Sequence, residues 1–118
     1  MRCLIVDDSA VFVDAARGLL ERQGDTVVGA ASTSAEALRL VEELRPDVTL
    51  VDINLGADNG FELTERIHRE ARPSPVILIS THAEQDFADM IAASPALGFL
   101  CKSALSSCAI RDFVRRGG

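Results

Sequence analysis

The sequence predicts an α/β fold in which helices cover both faces of a five-stranded parallel sheet. Short runs of aliphatic and β-branched residues alternate five times with longer stretches of helical periodicity, which is typical of βα units around a parallel sheet. Three of the runs are almost continuously apolar, as strands that are buried on both faces must be. The predicted strands are residues 3–6, 26–30, 48–51, 76–79 and 97–101.

Each predicted strand is followed by a segment with the spacing of an amphipathic helix. Ser9 is placed to cap the first helix and Gly24 to end it. Thr33 and Glu36 form a capping box ahead of the second helix, and Pro46 prevents that helix from running on. The apolar residues that mark the five helices are, in order, Val11, Phe12, Ala15, Ala16, Leu19 and Leu20; Ala37, Leu38, Val41 and Leu44; Phe61, Leu63 and Ile67; Phe87, Met90 and Ile91; and Leu105, Ala109, Phe113 and Val114.

Length and composition predict one domain over residues 1–118. The chain has 118 residues, of which 47% are hydrophobic and 25% charged, as in ordinary globular domains. Its formal net charge is −6, and its one short basic cluster, Arg111, Arg115 and Arg116, is expected to be a solvated face. Because no basic stripe offsets the acidic field, we expect this chain alone to bind neither nucleic acid nor an anionic membrane.

The cysteines and the start of the chain indicate the compartment. Cys3, Cys101 and Cys108 are odd in number and lack C-x-x-C spacing, so we expect free thiols in a reducing environment. The first strand follows Met1 directly, which leaves no room for a signal peptide, and no apolar run approaches membrane-spanning length. We therefore expect a cytoplasmic protein.

Polar side chains follow four of the predicted strands, at the point where each strand ends. Asp7 and Asp8 follow the first strand, Asp52 the third, Ser80 the fourth and Lys102 the fifth. In open parallel sheets, ligands bind beyond the carboxyl ends of the strands. We therefore expect these five side chains to share one site.

The residue types in this group favour a magnesium and phosphate site. Three neighbouring carboxylates repel one another unless a cation offsets their charge. All available ligands are hard oxygens, which suit Mg²⁺ better than zinc or copper. Lys102 is the only lysine in the chain, and a compact ammonium there can neutralise a phosphoryl oxygen. The plain alternative for Asp7 or Asp8 is a helix N-cap.

Four segments of the sequence resemble the motif blocks of response-regulator receiver domains. They are LIVDDS, DINLGADNG, LISTHAE and GFLCKS, and the resemblance covers essentially the whole chain. It implies a doubly wound, flavodoxin-like fold with strand order 2-1-3-4-5 and five helices, and a role in two-component signal transduction. One departure is Gly56, where many receivers carry proline.

The same resemblance implies a role for each residue of the site. Asp52 is the expected phosphoacceptor, and a sensor histidine kinase or a phosphotransfer protein is the expected donor, through a phosphohistidine. Asp8 would bind Mg²⁺ directly and Asp7 through water, and Asp52 and the main-chain carbonyl of Asn54 would be further ligands. Lys102 would pair with the phosphoryl group.

Signal output and phosphoryl lifetime are assigned to further residues by the resemblance. Ser80 and Phe99 would be the switch pair, in which the hydroxyl turns to the phosphoryl group and the ring moves inward. Asn54 and His82 lie two residues beyond Asp52 and Ser80 and would tune the lifetime of the phosphoryl group. The alternative for His82 is an exposed loop histidine, and the alternative for Phe99 is an ordinary core residue. A downstream protein or output domain would read the change, and a phosphorylation-dependent homodimer is a further expected partner.

Two alternatives use the same residues differently. A phosphatase of the haloacid-dehalogenase type would use Asp52 as nucleophile, but Asn54 stands where such enzymes place a general acid, and an amide cannot protonate a leaving group. The GFLCKS stretch resembles receivers attached to a helix-turn-helix domain of the nitrate-regulator type, and the chain ends at Gly118, directly after the fifth predicted helix, so it could be the excised N-terminal receiver of a DNA-binding transcription regulator. We otherwise expect a non-enzyme that accepts a phosphoryl group and can hydrolyse its own aspartyl phosphate.

Overall fold

The computed structural model describes residues 1–70 and 73–117, and it confirms the predicted doubly wound α/β fold. The sheet strands are β1 (Arg2–Val6), β2 (Thr26–Ala31), β3 (Val48–Asp52), β4 (Val76–Ser80) and β5 (Gly98–Cys101). The helices are α1 (Ala10–Arg22), α2 (Ser34–Leu44), α3 (Gly60–His68), α4 (Ala88–Ala93) and α5 (Ser107–Gly117). All strand pairs in this sheet are parallel, in the predicted order β2-β1-β3-β4-β5.

The core forms two layers, one on each face of the sheet. Along β1, Leu4 and Val6 belong to one layer, whereas Cys3 and Ile5 belong to the other, because successive side chains of a strand point to opposite faces. Residues of α2 and α3 complete the first layer, and residues of α1 and α5 complete the second. Burial on both faces accounts for the continuously apolar sequence of the central strands.

The buried stripe of α1 differs from the predicted one. Ser9 caps the helix as predicted, since its side chain accepts a hydrogen bond from Phe12 N. The residues that face the sheet are Val13, Ala16 and Leu20, with Phe12 and Leu19 beside them. Val11, predicted to be in the apolar face, is 82% exposed because it lies two positions before Val13, about 200° away around the helix. Ala15 is exposed as well.

The last two helices also correct details of the prediction. Met90 is 49% exposed, whereas Ile91 packs against the core from a short α4. Phe87, predicted to be in the fourth helix, lies in the 3-10 turn Glu84–Phe87 just before α4 and packs against the same core layer. Leu105, predicted to be in the fifth helix, lies in the turn before α5 and fills the core there. A 3-10 turn over Lys102–Ala104 separates β5 from α5, and this turn moves Leu105 off the helix.

Three strands, β2, β3 and β4, end one residue later than predicted, and in β3 and β4 the extra residue belongs to the expected site. Asp52 still pairs with Ile79, and Ser80 still pairs with Cys101. The backbone of these two polar residues is therefore fixed by the sheet instead of lying in a loop.

A buried carboxylate lies just before β2, at the amino end of the sheet. The Asp25 side chain is fully buried, and its Oδ1 lies 2.7 Å from Arg111 and 3.2 Å from the α-amino nitrogen of Met1. Burial alone would raise the pKa of Asp25, but the neighbouring Ser107 hydroxyl and Arg111 guanidinium, with the α-amino group, lower it. The prediction that Arg111 belongs to a solvated face is therefore wrong, because the residue ties α5 to the sheet.

The cysteines are free thiols, as predicted. Cys3 is buried in β1, and burial together with the charge of Asp25 raises its pKa to about 11. Cys101 is half-buried and Cys108 is exposed. In the described part of the chain, no helix combines the length and the apolar character that crossing a bilayer requires.

Candidate functional site

Strand register brings the predicted site residues together at the carboxyl edge of the sheet. Val6 pairs with Val51, so Asp7 and Asp52 lie side by side on neighbouring strands. Ser80 pairs with Cys101, and Lys102 is the next residue. The expectation that these side chains converge is met for Asp7, Asp52 and Lys102, which are in direct contact.

The Lys102 ammonium lies between the two buried carboxylates. Its Nζ is 2.6 Å from Asp7 Oδ2 and 3.1 Å from Asp52 Oδ2, and its side chain is only 14% exposed. Burial by itself would lower the pKa of Lys102, but hydrogen bonds and charge from Asp7 and Asp52 raise it. The lysine therefore remains a cation in the site.

The Asp52 carboxylate is held by two contacts. Its Oδ1 accepts a hydrogen bond of 3.0 Å from Asn54 N, and its Oδ2 accepts one from Lys102. Burial and the neighbouring charge of Asp7 raise the pKa of Asp52, against the opposite effect of the Asn54 and Lys102 contacts. The fold thus concentrates negative charge at this point, which favours a bound cation.

Three carboxylates form a cluster that fits a divalent cation. Oxygen atoms of Asp7, Asp8 and Asp52 all lie within 4.8 Å of one another. Opposite ligands of an octahedral Mg²⁺ are about 4.2 Å apart, so the cluster could hold the ion with one carboxylate acting through water. Asp7 Oδ2 is buried and lies 2.6 Å from the Lys102 ammonium, so the donor set combines carboxylate oxygens, which Mg²⁺ prefers, with one fixed positive charge.

Ser80 is buried at the end of β4 and is linked to His82. His82 N donates to Ser80 Oγ at 3.0 Å, and the His82 ring Nδ1 lies 3.5 Å from the same oxygen. The exposed His82 ring also meets Phe87 edge to face, with centroids 6.0 Å apart. The position of Ser80 agrees with a switch role, which stays a prediction, as does the lifetime role of His82.

The positions of Phe99 and Asn54 in the structure leave their switch and ligand roles as predictions. Phe99 is 94% buried in the core layer that also holds Leu78, so its ring already occupies an inward position. Asn54 presents its main-chain N–H to Asp52, and its carbonyl remains a predicted ligand. The side chain of Asn54 is exposed, which leaves its lifetime role a prediction.

A small hairpin beside Asp52 was missed by the sequence analysis. Asn54–Leu55 and Asp58–Asn59 pair antiparallel around a turn in which Gly56 has φ +66°, a value that proline cannot adopt. Asp58 Oδ2 accepts from Ser34 N at the start of α2, and Asn59 Oδ1 caps α3. The departure at Gly56 therefore has a structural reason, and the hairpin fixes the chain next to the site.

Two further residues of the site were also missed. A Cβ on Gly60 would overlap the carbonyl oxygen of Asp52, so only glycine allows α3 to begin so close to β3. The Phe12 ring, predicted only as part of a helix face, lies 4.4 Å from Lys102 Nζ, measured to the ring centroid. Gly60 was visible in the sequence as the last residue of the DINLGADNG segment, whereas nothing in the sequence indicated that Phe12 contacts Lys102.

The fold and the site define a class of protein, namely a flavodoxin-like α/β domain with an acidic cluster and one lysine at the carboxyl edge of its sheet. The family model of the response regulator receiver domain matches residues 3–111, and the chain belongs to this family. It is therefore a receiver domain of two-component signal transduction.

Individual relatives and structures agree with this family. The chain is 32% identical over 116 residues to the transcriptional regulatory protein LiaR of Bacillus subtilis (strain 168), which covers 98% of this chain and 54% of that protein. It is 37% identical over 97 residues to protein-glutamate methylesterase/protein-glutamine glutaminase 3 of Hahella chejuensis (strain KCTC 2396), covering 82% of this chain and 27% of that protein. The chain thus spans from about a quarter to about half of these relatives.

Among solved structures, the signal receiver domain of the response regulator NarL from Mycobacterium tuberculosis is similar along nearly its full length. The TM-score is 0.86 and the sequence identity 29%, with 97% of this chain and 95% of that chain covered. The predicted fold and family are confirmed.

Proposed function

We propose that this chain accepts a phosphoryl group on Asp52 with Mg²⁺ held by Asp7, Asp8 and Asp52. The observation that carries the proposal is the position of Lys102, whose Nζ lies 3.1 Å from Asp52 Oδ2 and 2.6 Å from Asp7 Oδ2. A nucleophilic carboxylate, a fixed ammonium and a carboxylate cluster are the groups that phosphoryl transfer requires. Family membership supports the same role.

The residues of the site have separate tasks in this transfer. Contacts to Asn54 N and Lys102 orient the Asp52 carboxylate, so that one of its oxygens can attack phosphorus in line with the leaving imidazole. The O–P bond forms as the P–N bond of the phosphohistidine breaks, and the imidazole keeps the electron pair and takes up a proton. Lys102 neutralises an oxygen of the transferred group. Bound Mg²⁺ would supply further charge neutralisation there.

The partners follow from the chemistry of the site. A phosphohistidine of a sensor histidine kinase or phosphotransfer protein supplies the phosphoryl group, and a downstream protein or output domain reads the result. Ser80 hydrogen-bonds the new phosphoryl oxygens, and Phe99 transmits that movement to the surface. The curated relatives extend well beyond the matched region, which supports an output domain as the reader. One of them, LiaR, is a transcriptional regulatory protein, which supports the alternative of an N-terminal receiver of a transcription regulator.

We further propose that the chain is no phosphatase of external substrates. Asn54, two residues after Asp52, offers an amide where the haloacid-dehalogenase mechanism needs an acid. Sustained hydrolysis of a phosphomonoester such as para-nitrophenyl phosphate, lost in Asp52→Asn, would support that alternative. A single phosphorylation per chain, without turnover of the monoester, supports the receiver mechanism.

Phosphorylation is tested directly by intact-protein mass spectrometry. Incubation with acetyl phosphate and Mg²⁺ should add one phosphoryl mass to the wild type, and Asp52→Asn should abolish the addition. Asp89→Asn is the matched control, since it removes an exposed carboxylate from α4 and should leave the addition intact. An Asp52→Asn chain that still gains the mass would refute Asp52 as the acceptor. A wild type that gains none would refute the function.

The metal is tested by urea unfolding with and without Mg²⁺. Mg²⁺ binds the folded cluster and should therefore raise the unfolding midpoint of the wild type. Asp8→Asn removes the exposed carboxylate of the cluster and should suppress this increase, whereas Asp89→Asn should keep it. Equal increases in Asp8→Asn and the wild type would exclude Asp8 as a ligand.

A further inference from the structure

The aromatic ring of Phe12 covers one side of the Lys102 ammonium. Phe12 lies in the first turn of α1, half-buried, and packs against the core layer that contains Val13 and Leu20. The distance of 4.4 Å from Lys102 Nζ to the ring centroid is well inside the range of about 6 Å over which a cation is attracted to an aromatic face. The contact is favoured further because the lysine side chain is only 14% exposed, so little water competes.

The same short segment fixes both the ring and one of the carboxylates. Asp7 Oδ1 accepts a hydrogen bond of 2.9 Å from Ser9 N, and Ser9 Oγ accepts one of 3.3 Å from Phe12 N. Asp7 Oδ2 in turn contacts Lys102. The contacts therefore form a closed circuit from Asp7 through Ser9 and Phe12 to Lys102. The first turn of α1, capped by Ser9, sets the position of the Phe12 ring.

The three partners of Lys102 differ in what happens to them during phosphoryl transfer. Under the function proposed above, Asp52 becomes phosphorylated, and Asp7 is one of the carboxylates around the bound metal ion. Both carboxylates therefore weaken as partners of the ammonium during the reaction. The Phe12 ring binds neither metal nor phosphate, so its attraction for Lys102 persists throughout.

We propose that Phe12 is a positioning residue for phosphoryl transfer, whose ring holds the Lys102 ammonium over Asp52 by a cation–π contact. The inference rests on the proposed function, because its kinetic consequence exists only if Asp52 is phosphorylated. The ring keeps the flexible four-carbon chain of Lys102 in the orientation that neutralises the incoming phosphoryl group. Loss of the ring should slow transfer without weakening metal binding.

The contact itself can be observed because Lys102 is the only lysine in the chain. Protein labelled with ¹³C-lysine gives a single set of Cε–Hε signals in a proton–carbon NMR spectrum. In the wild type these protons should be shifted upfield by the ring current of Phe12. Phe12→Leu should abolish the shift, and Phe12→Tyr, which keeps the ring, should preserve it.

The functional consequence is measured as the rate of phosphorylation by acetyl phosphate at saturating Mg²⁺. Phe12→Leu should lower this rate about three- to tenfold, as expected for the loss of one desolvated cation–π contact, and Phe12→Tyr should restore it. Phe113→Leu is the matched control, because Phe113 is half-buried against the same core layer but lies on α5. It should lower the unfolding midpoint and leave the rate unchanged.

The outcomes separate this inference from the proposed function. A wild-type rate in Phe12→Leu, or a loss in Phe12→Tyr as large as in Phe12→Leu, overturns the positioning role. A rate that falls equally in Phe113→Leu assigns the effect to stability and also overturns it. If the wild type takes no phosphoryl group, the proposed function is refuted, and with it the expected effect of Phe12 on the rate. The NMR shift still decides separately whether the Phe12 ring contacts the Lys102 ammonium.

Discussion

At the scale of single residues, two buried aspartates have opposite effects on stability. Asp25 has a lowered pKa because Arg111, Ser107 and the α-amino group outweigh its burial. Asp52 has a raised pKa because burial and the charge of Asp7 outweigh Asn54 and Lys102. A carboxylate with a lowered pKa stabilises the ionised fold, whereas one with a raised pKa opposes it.

Asp52→Asn should therefore stabilise the metal-free protein at pH 7. The raised pKa means that Asp52 favours folding only while it is protonated, at low pH, and opposes folding once the pH has risen through its folded pKa. The gain should be about 1 kcal/mol, the usual size of a single-residue effect, and should vanish below about pH 4. Urea unfolding between pH 3 and pH 8 would measure it. Destabilisation of Asp52→Asn at pH 7 would show that the ion pair with Lys102 stabilises the fold by more than the burial of Asp52 costs.

Asp25→Asn should have the opposite effect. The lowered pKa means that Asp25 stabilises the fold above its unfolded value of about 4, and that this contribution is lost as the pH falls through its folded pKa. Removing the buried partner of Arg111 should cost about 2–4 kcal/mol at pH 7, with the partial exposure of Arg111 reducing the value. Urea unfolding of both variants at several pH values would show that the difference between their free energies of unfolding becomes smaller at acid pH. A neutral Asp25→Asn at pH 7 would contradict the assigned role.

At the scale of elements, the junction of β3 with α3 is the tightest in the site. Gly60 lets the helix begin against the Asp52 carbonyl oxygen, and Gly60 N donates to Ile53 O at 2.9 Å. Asn59 caps the same helix. Asp52 and α3 are therefore joined through Gly60, a position that has no space for a side chain.

Gly60→Ala should separate α3 from β3. We expect a loss of about 2 kcal/mol or more in unfolding free energy, because the backbone cannot yield as a flexible side chain does, and a slower phosphorylation of Asp52. Gly18→Ala is the matched control, since the new Cβ would approach only the end of Arg22 in α1, and alanine should stabilise that helix by about 0.5–1 kcal/mol. Equal stabilities of the two variants would contradict the close junction.

The elements also show what the sequence could and could not predict. The strands and the residues at their carboxyl ends were predictable, because burial on both faces leaves continuous apolar runs that end at polar residues. The strand order followed from the resemblance to receiver domains. The hairpin at Asn54–Leu55 was not, since two-residue strands leave no periodic pattern. Val11 was misplaced because an apolar residue next to a buried stripe satisfies helical spacing without being buried.

Contacts between distant parts of the chain were the other limit. Asp25 follows Gly24 and looks like an ordinary loop acid, yet the fold buries it against Arg111. Phe12 looked like a residue of a helix face, and its contact with Lys102 exists only because the fold brings the first turn of α1 and the Lys102 side chain to the same edge of the sheet. Such pairs are decided by tertiary packing, and residue spacing along one element carries no information about them.

At the scale of the whole molecule, the helices around the site are unequally anchored in the core. Helix α1 contributes three buried residues, whereas the short α4 contributes none among the described side chains. α4 is attached through Phe87 and Ile91, which are only half-buried, and Phe87 contacts both Phe61 and His82. Segments with so little buried apolar surface open most easily. Because His82 adjoins Ser80, this loosely attached region is also the one closest to the expected switch.

Hydrogen exchange on the metal-loaded protein should therefore locate the output surface in and around α4. In the free receiver, residues 82–95 should exchange fastest among the helical regions, because few buried contacts hold them.

Beryllium fluoride, a phosphoryl analogue, should increase protection across residues 81–105, since Ser80 and Phe99 connect the site to β5 and α4. In Ser80→Ala the analogue should still protect the loops that hold Asp7 and Asp52, but the distal increase should be lost. Protection confined to those loops in the wild type would show that Phe99 is a core residue only, and a distal increase that survives in Ser80→Ala would assign the coupling to the path through Phe61 and Phe87 instead.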